Sequence, residues 1–283
     1  MNQETGVAVV VTYNRKDKLF KCIECLLKQT YPLDKIYIIN NASTDGTESL
    51  LNSLVLSNSK IEYRTMNENL GGSGGFQYGI KWAYAEGADW IWGMDDDAFP
   101  EKEALNNLLD ERSKNQEICA YWSNPNCDIS FDGNTKLVQE WMFVGFFIPR
   151  EIVKAIGYPR GDYFIYYDDL EYADRIIRHG FPIYKVRNSV IHHQDAVSEL
   201  RKLKIGNKTI NIVMLPSQNW KVYYLARNDL LRFSRDDARL IESYKRNIRR
   251  IIKVLRYNPK QLGVLLKGIW HGTIGKSGKI MTP

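Results

Sequence analysis

The sequence is poor in cysteine and histidine, and it has no long apolar run. Only four cysteines and four histidines occur in 283 residues, which is too few cysteines for a disulfide-stapled extracellular scaffold. No stretch of about 18 apolar residues is present, so no transmembrane helix is predicted. The first residues lack the charged and then apolar pattern of a signal peptide, which predicts a cytoplasmic protein.

Two of the cysteines, Cys22 and Cys25, form a C-x-x-C pattern that also occurs in redox and zinc sites. They lie in KLFKCIECLLKQT, a stretch whose apolar residues have helical spacing. Because no second pair of metal ligands is close in the sequence, we predict that they are buried cysteines of an amphipathic helix.

The charge of the chain is divided unevenly along its length. Residues 201–283 hold 19 Lys or Arg against four Asp or Glu, whereas the first 200 residues hold 20 basic and 29 acidic side chains. The hydrophobic content of 44% is sufficient for a sizeable core. We therefore expect one large domain with an appendage, and a C-terminal part that faces something anionic.

The N-terminal half alternates strands with helices. The predicted strands are VAVVVTYN, KIYIINNAS, KIEYRTMN and WIWGMDD, and the helices between them are KDKLFKCIECLLKQT, GTESLLNSLVL and GGFQYGIKWAYAEG. Near-continuous apolar strands joined by helices predict a parallel sheet that is covered on both faces. In such sheets ligands bind beyond the carboxyl ends of the strands.

Polar residues follow each of these four strands, and they include an aspartate triplet and a glycine-rich stretch. MDDDA follows the fourth strand, and NENLGGSGGF precedes the third helix without the Lys-Ser or Lys-Thr of a P-loop. Taken separately, the first could be a solvated loop with a helix cap, and the second an ordinary turn. Together they suggest a nucleotide diphosphate bound with a divalent cation.

The stretches VVVTYNR, NNASTDGT, NLGGSGGF, MDDDA, GDYFIYYDDLEYADRI and WKVYYLARN resemble the inverting family-2 glycosyltransferases with the GT-A fold, over about residues 7–233. GGSGGF with MDDDA is more narrowly similar to galactofuranosyl- and rhamnosyltransferase-like members. The resemblance implies an α/β GT-A fold with a mostly parallel central sheet and helices on both faces. It places a catalytic domain at 1–233, with a nucleotide-sugar half of about 1–100 and an acceptor half of about 101–233, and a basic helical extension at 234–283.

The same resemblance assigns residues to the donor and to a metal ion, Mn²⁺ or Mg²⁺. The metal ligands would be Asp97 and Asp95 with a strand-end histidine, for which His192 is favoured and His193 is the alternative. Asn40 stands where many relatives have an aspartate that meets a pyrimidine base, and Asn lacks the charge for that hydrogen bond. The expected donor-binding residues are Thr12, Tyr13, Asn14, Arg15, Asn40, Asn69, Gly71, Gly72, Asp95 and Asp96.

Direct displacement with inversion needs a general base for the acceptor hydroxyl. Asp168 matches the base position of the family, although an acidic group there would also suit the N-terminus of a helix. Trp141, Asp169 and His193 are the expected acceptor-binding residues, with Trp141 stacked on a sugar.

The implied function is transfer of a sugar, with UDP-galactofuranose favoured, to a glycan or polyprenyl-diphosphate-linked glycan in bacterial surface polysaccharide synthesis, for example of O-antigen. A dTDP-rhamnose-dependent rhamnosyltransferase is the alternative. A metal-dependent nucleotidyltransferase would more often carry a basic triphosphate signature near a glycine-rich first loop. The first loop of this sequence, TYNRKDK, contains no glycine. A non-catalytic nucleotide-sugar-binding subunit of a glycan-assembly complex is a further alternative.

ARLIESYKRNIRRIIKVLRY, residues 238–257, has an apolar stripe and a basic side at helical spacing. Such a helix can lie on an anionic membrane surface, or it can pack on the protein with its basic side in solvent. A lipid-linked acceptor favours peripheral attachment to the inner face of the cell membrane. Nucleic acid is not an expected partner, because no recognition module accompanies the charge. An oligomer is compatible with the sequence.

Overall fold

The computed structural model describes residues 4–193, 200–205, 208–235 and 237–282 of the chain. The strands in these ranges are β1 (Gly6–Thr12), β2 (Lys35–Asn40), β3 (Ile61–Thr65), β4 (Trp90–Asp95), β5 (Ala98–Pro100), β6 (Ala120–Pro125), β7 (Thr135–Val138), β8 (Phe146–Pro149), β9 (Ile183–His193), β10 (Leu200–Ile205) and β11 (Lys208–Val213). The α-helices are α1 (Lys16–Leu27), α2 (Thr47–Ser57), α3 (Gly71–Ala85), α4 (Ala104–Lys114), α5 (Arg150–Ile156), α6 (Asp168–Arg178), α7 (Asn219–Leu231), α8 (Arg239–Tyr257) and α9 (Leu262–Thr273).

The described residues form two compact units, and the second is discontinuous in sequence. The first unit takes its described residues from 4–161 and 169–193, and the second from 162–168 and from the described residues after 193. The second unit therefore contains α7 together with α8 and α9.

The first unit is built on a mixed sheet with the order β3-β2-β1-β4-β8-β6-β9-β5, in which β7 also pairs with β9. The four strands predicted from the sequence are parallel to one another. The residues of β1 and β2 are apolar, largely β-branched and buried on both faces, as a parallel sheet between helices requires, whereas the edge strand β3 is only partly buried. The predicted alternation and parallel sheet are confirmed, and the added strands make the far side partly antiparallel.

Alternate residues of β1 point to opposite faces of the sheet and enter two different cores. Val10 packs in a cluster with Leu19 and Ile23 of α1, whereas Val9 packs in a second cluster with Phe76 and Ile80 of α3. The period of two along a strand explains this division. Helices thus cover both faces, as predicted.

The C-x-x-C pattern lies on α1, as predicted. Cys22 is fully buried, Cys25 is partly buried, and both are free thiols. Burial raises the pKa of the Cys22 thiol well above its ordinary value, so this side chain is a packing residue and not a nucleophile.

The second unit contains the β10–β11 hairpin and three helices. Its core includes Val222 and Ala226 of α7, Val254 of α8 and Leu265 of α9. A Cβ on Gly268 would lie 2.6 Å from the carbonyl oxygen of Tyr223, so glycine permits close packing of α9 on α7. Within the described ranges, no helix combines the length and the apolar character needed to cross a bilayer.

Candidate active site

The polar strand ends of the first unit meet at one edge of the sheet. In the ladder Thr12 is level with Asn40, and Val11 is level with Asp95. The Thr12 hydroxyl donates to Asp96 Oδ2 at 2.7 Å. This is the convergence that the parallel topology predicts.

Asp96 is held inside the protein and is not directed toward a ligand. It is only 3% exposed, and Arg15 Nη1 lies 3.3 Å from its Oδ1 atom. Burial raises the pKa of Asp96 to about 6, although the Thr12 hydrogen bond and the Arg15 charge oppose the shift. The structure therefore supports Asp96 as a residue that braces this edge.

Asp97 lies beside two positively charged or chargeable groups. Arg15 Nη1 is 2.7 Å from Asp97 Oδ2, and His193 Nε2 is 3.1 Å from Oδ1. Burial acts to raise the pKa of Asp97, but the nearby His193, Arg15 and Lys18 outweigh it, and the pKa is lowered. The carboxylate form is thus favoured at neutral pH, as a metal ligand requires.

Asp95, Asp97 and His193 form the candidate metal site. One ligand atom from each lies within 4.8 Å of the others. Among the described residues, Asp97 Oδ1 and His193 Nδ1 are buried and have no hydrogen-bond partner of acceptable geometry. Buried polar atoms without partners are unusual. Two carboxylates and one imidazole are a donor set that can hold a divalent cation.

The structure brings His193, and not His192, to the aspartates. Strand β9 pairs antiparallel with β5 so that His193 is opposite Ala98, next to Asp97 in the chain. Because neighbouring residues of a strand point to opposite faces, His192 turns away. Its Nε2 atom is 2.9 Å from Glu101 Oε1, and its side chain is 56% exposed. Of the two histidines, His193 is therefore the one that the candidate metal site contains, in place of the favoured His192.

The expected base-binding Asn40 is already engaged within the protein. It is fully buried, its Nδ2 atom donates to the Thr65 hydroxyl at 3.2 Å, and its Oδ1 atom accepts from the Ser43 backbone N–H at 3.0 Å. The carbonyl oxygen that was expected to meet a base therefore stabilises the turn after β2.

The turn after β1 presents residues to solvent beside this edge. Tyr13 is 39% exposed, and Asn14 has a left-handed backbone with φ 53°. Asn14 Oδ1 accepts from the Thr44 backbone N–H at 2.7 Å, which ties the two turns together. Tyr13 and Arg15 remain accessible for a donor nucleotide.

The glycine-rich stretch is the first part of a helix and not a free loop. α3 begins at Gly71, whose N–H donates to Asn69 Oδ1 at 2.7 Å. A Cβ on Gly75 would lie 2.5 Å from Val11 Cγ1, so this glycine serves the packing of α3 on β1. By contrast, a Cβ on Gly72 would have no neighbour within 4 Å, and Gly72 remains a candidate contact for a ligand.

Two buried oxygens near this helix start were missed by the sequence analysis. Asn41 Oδ1 and Ser73 Oγ have no hydrogen-bond partner among the described residues, although Asn41 Nδ2 donates to Gly71 O at 3.0 Å. Asn41 and Ser73 are part of the quoted stretches NNASTDGT and GGSGGF. Their place in those stretches could have marked the two residues as site candidates. The sequence does not show which polar groups lack a hydrogen-bond partner.

The expected sugar platform, Trp141, is a core residue. It is 1% exposed, packs against Phe146 and Tyr172, and donates from Nε1 to the Asp169 carbonyl oxygen at 3.0 Å. Stacking on a sugar would need an exposed face, so the acceptor assignment of Trp141 is corrected. Its hydrogen bond instead fixes the first turn of α6, where Asp169 lies.

Asp168, the expected base, is the first residue of α6 and is 7% exposed. A carboxylate at this position is stabilised by the helix dipole. It belongs to the second unit, at the end of its short segment 162–168. The positions of Phe164, Tyr166 and Tyr167 before it all have positive φ values.

A mixed sheet with a carboxylate pair and a histidine beyond its parallel strands defines a glycosyltransferase of the GT-A class. The chain belongs to glycosyl transferase family 2, whose family model matches residues 7–171. It is 27% identical over 251 residues to galactofuranosyltransferase GlfT1 of Mycobacterium tuberculosis, covering 80% of this chain and 81% of that protein. It is 23% identical over 252 residues to GlfT1 of Mycolicibacterium smegmatis, covering 80% and 82%.

Solved structures show the same fold at low sequence identity. Mannosyltransferase PcManGT of Pyrobaculum calidifontis, in complex with GDP-Man and Mn²⁺, has a TM-score of 0.57 at 14% identity, covering 96% of this chain and 76% of that chain. TarS 1-349 of S. aureus, in complex with UDP-GlcNAc, has a TM-score of 0.58 at 13% identity, covering 95% and 81%.

Proposed function

We propose that this protein is a metal-dependent inverting glycosyltransferase that moves galactofuranose from UDP to a glycan or lipid-linked glycan in bacterial surface polysaccharide synthesis. The observation that carries the proposal is the cluster of Asp95, Asp97 and His193 beyond the parallel strands of a family-2 chain. The similarity to galactofuranosyltransferase GlfT1 supports the sugar, and the neighbours with UDP-GlcNAc and GDP-Man support a nucleotide-sugar donor.

The cluster fits a divalent cation better than it fits a purely structural role. The pKa of Asp97 is lowered, and neither Asp97 Oδ1, which lies 3.1 Å from His193 Nε2, nor His193 Nδ1 has a hydrogen-bond partner of acceptable geometry. A cation held by Asp95, Asp97 and His193 would neutralise the charge that develops on a diphosphate leaving group. The neighbour with GDP-Man and Mn²⁺ supports this assignment.

Asp168 is the proposed general base. In a single displacement, a carboxylate oxygen of Asp168 would take the proton from the acceptor hydroxyl while the hydroxyl oxygen attacks the anomeric carbon; the bond from that carbon to the diphosphate oxygen breaks, and UDP leaves. The support is its match to the family position and its place at the start of α6. Asp168→Asn should retain binding of UDP with Mn²⁺ and lose transfer by about 10² to 10⁴-fold.

A donor screen tests the proposal. UDP-galactofuranose, UDP-hexopyranoses and dTDP-rhamnose are incubated with acceptor extracts, and release of nucleoside diphosphate is measured with Mn²⁺, with Mg²⁺ and with EDTA. We expect release from UDP-galactofuranose that EDTA abolishes. Preference for dTDP-rhamnose would favour the rhamnosyltransferase alternative. Binding of every donor without release would favour a non-catalytic subunit.

We further propose that α8 attaches the protein to an anionic membrane surface at the inner face of the cell membrane. Four of its apolar residues face solvent, on a different side from the one on which Asn247 and Val254 are buried in the second unit. The exposed fractions range from 55 to 61% for Ile241, Ile248, Ile252 and Leu255. A helix that only packs on the protein would bury these residues.

The positive charge next to the apolar face of α8 favours an anionic membrane surface, and not an uncharged protein surface, as the partner of this helix. On the helical projection, the apolar face is flanked along one side by Lys245, Arg249, Lys253 and Arg256. Each such charge near an anionic bilayer contributes about 1 kcal/mol. Trp270 of α9 adds an aromatic side chain that is 62% exposed.

Flotation with vesicles tests the membrane proposal. Wild type should float with phosphatidylglycerol vesicles at low salt, remain unbound with phosphatidylcholine, and be released as salt screens the charges. The double variant Ile248→Ser and Ile252→Ser should lose flotation. Leu56→Ser is the matched control, because Leu56 is 89% exposed on α2 and lies outside this face. Equal flotation of both variants would contradict the proposal.

A further inference from the structure

The segment 162–168 has an unfavourable backbone conformation just before Asp168. Phe164, Tyr166 and Tyr167 have φ values of 68°, 67° and 66°. Positive φ is a genuine outlier for a bulky side chain, because the Cβ atom approaches the backbone carbonyl. Such conformations persist only when surrounding contacts fix them. The second unit must therefore contain groups that hold this segment.

Asn228 of α7 provides the most direct of these contacts. Its Nδ2 atom lies 2.9 Å from the carbonyl oxygen of Tyr163, 2.7 Å from that of Ile165 and 3.0 Å from that of Tyr166, so its two hydrogens are shared among three acceptors. Asn228 is fully buried, so loss of its amide would leave these carbonyl oxygens without this partner. One side chain thus contacts three carbonyl oxygens of the strained segment.

Arg227 orients that amide and holds the beginning of the segment. Its Nε atom donates to Asn228 Oδ1 at 2.7 Å, so the amide nitrogen must face the carbonyls. Its Nη2 atom donates to the carbonyl oxygens of Asp162 at 3.2 Å and Tyr163 at 3.0 Å. Arg227 is fully buried as well.

The next residue of α7, Asp229, is connected to the end of the segment through Arg250, which contacts both Asp229 and Tyr167. Asp229 Oδ2 is 2.6 Å from Arg250 Nη1, and Arg250 Nη2 donates to the Tyr167 hydroxyl at 2.7 Å. Asp229 is 0% exposed, so its charge is neutralised by arginines within the unit. Three consecutive buried residues therefore hold the segment along its whole length.

We propose that Asn228, oriented by Arg227, is a positioning residue that sets the direction in which Asp168 leaves the strained segment. The inference rests on the proposed base role of Asp168. Asn228 touches no reacting atom in this proposal; it acts by fixing the backbone that carries the base. Displacement of a catalytic group by about 1 Å can cost about 10²-fold in rate, which sets the size of the expected effect.

The decisive variant is Asn228→Ala, measured in the full chain with the donor identified by the screen. We expect kcat to fall about 10²-fold while KM for the donor and the affinity for UDP with Mn²⁺ change by less than about threefold. Gln261→Ala is the matched control. Gln261 is also a buried amide of the second unit that donates to two carbonyls, those of Pro216 and Ser217, but it does not touch segment 162–168.

Rescue separates positioning from general destabilisation. Glycine adopts positive φ readily, so Tyr166→Gly in the Asn228→Ala background should recover part of kcat even if the melting temperature does not rise. Equal kcat losses in Asn228→Ala and Gln261→Ala, or no recovery in the double variant, would overturn the inference. If Asn228→Ala does not fold, Asn228→Asp, which keeps the size of the side chain but replaces the donating amide group, decides: an unchanged kcat overturns the inference.

Asp168→Asn distinguishes failure of this inference from failure of the proposed function. If Asp168→Asn is inactive and Asn228→Ala is normal, the base role stands and the positioning role falls. If Asp168→Asn is fully active, the base role falls. Loss and rescue at Asn228 would then show that the segment positions a different group.

Discussion

Replacement of each of the two neighbouring histidines should have very different effects on metal binding. His193→Ala removes one member of the Asp95, Asp97 and His193 cluster. Loss of an outer partner of a metal ligand typically weakens binding about 10- to 100-fold, so loss of a direct ligand should cost at least about 100-fold. That factor corresponds to about 2.8 kcal/mol.

His192→Ala is the control within the same strand. Its side chain is 56% exposed and its partner Glu101 is 52% exposed, so the pair is a surface ion pair of at most about 1 kcal/mol. The affinity for Mn²⁺ should therefore change by less than about fivefold. Strand β9 and the backbone pairing with β5 remain in both variants, because alanine keeps the N–H and C=O groups.

Isothermal titration calorimetry of Mn²⁺ at a fixed UDP concentration measures both variants, at a pH where the imidazole is neutral. Melting temperatures show whether the fold is retained. Equal affinities for Mn²⁺ in the two variants would refute the assignment of His193. A loss confined to His192→Ala would restore the assignment that was favoured from the sequence.

Two further predictions concern stability. Gly79→Ala should lower the free energy of unfolding in urea by about 1–3 kcal/mol, because its Cβ would lie 2.5 Å from Val9 Cγ1, whereas Gly72→Ala, with no neighbour within 4 Å, should not. Burial lowers the pKa of His271 below its ordinary value of 6.5, so the unfolded chain binds a proton at this histidine more readily than the folded protein does. The free energy of unfolding should therefore fall as the pH is lowered below 6.5. The variant His271→Asn, measured in urea at pH 7.5 and pH 5, should show a weaker loss; an unchanged loss would contradict this.

The parallel part of the sheet and its carboxylates were predictable because the signals are local. Strands β1 and β4 are nearly continuous apolar runs that end at the first polar residue, as Val11 is followed by Thr12 and Met94 by Asp95. Parallel pairing then brings these ends together without further information. Asp97 could therefore be identified as a candidate ligand from sequence and family resemblance.

Features that depend on pairing between distant segments were not predictable. The choice between His192 and His193 is set by the register of β9 against β5, which pairs residues that lie more than 90 positions apart in the chain. Trp141 was assigned to a sugar because aromatic residues serve both cores and carbohydrate sites. The helical pattern of α8 gave two faces, but not which of them the protein buries.

The discontinuity of the second unit has a consequence for how this chain can be shortened. Segment 162–168 is separated by more than 50 residues from the helices that hold it, and its contacts include Arg250 and, through Arg227, Gly278. A chain ended at residue 233 would keep the aspartate cluster and Asp168 but would lack these two supports. The C-terminal helices are therefore not a detachable part, and the proposed membrane attachment should be removed by changing the surface of α8 and not by deleting the helix.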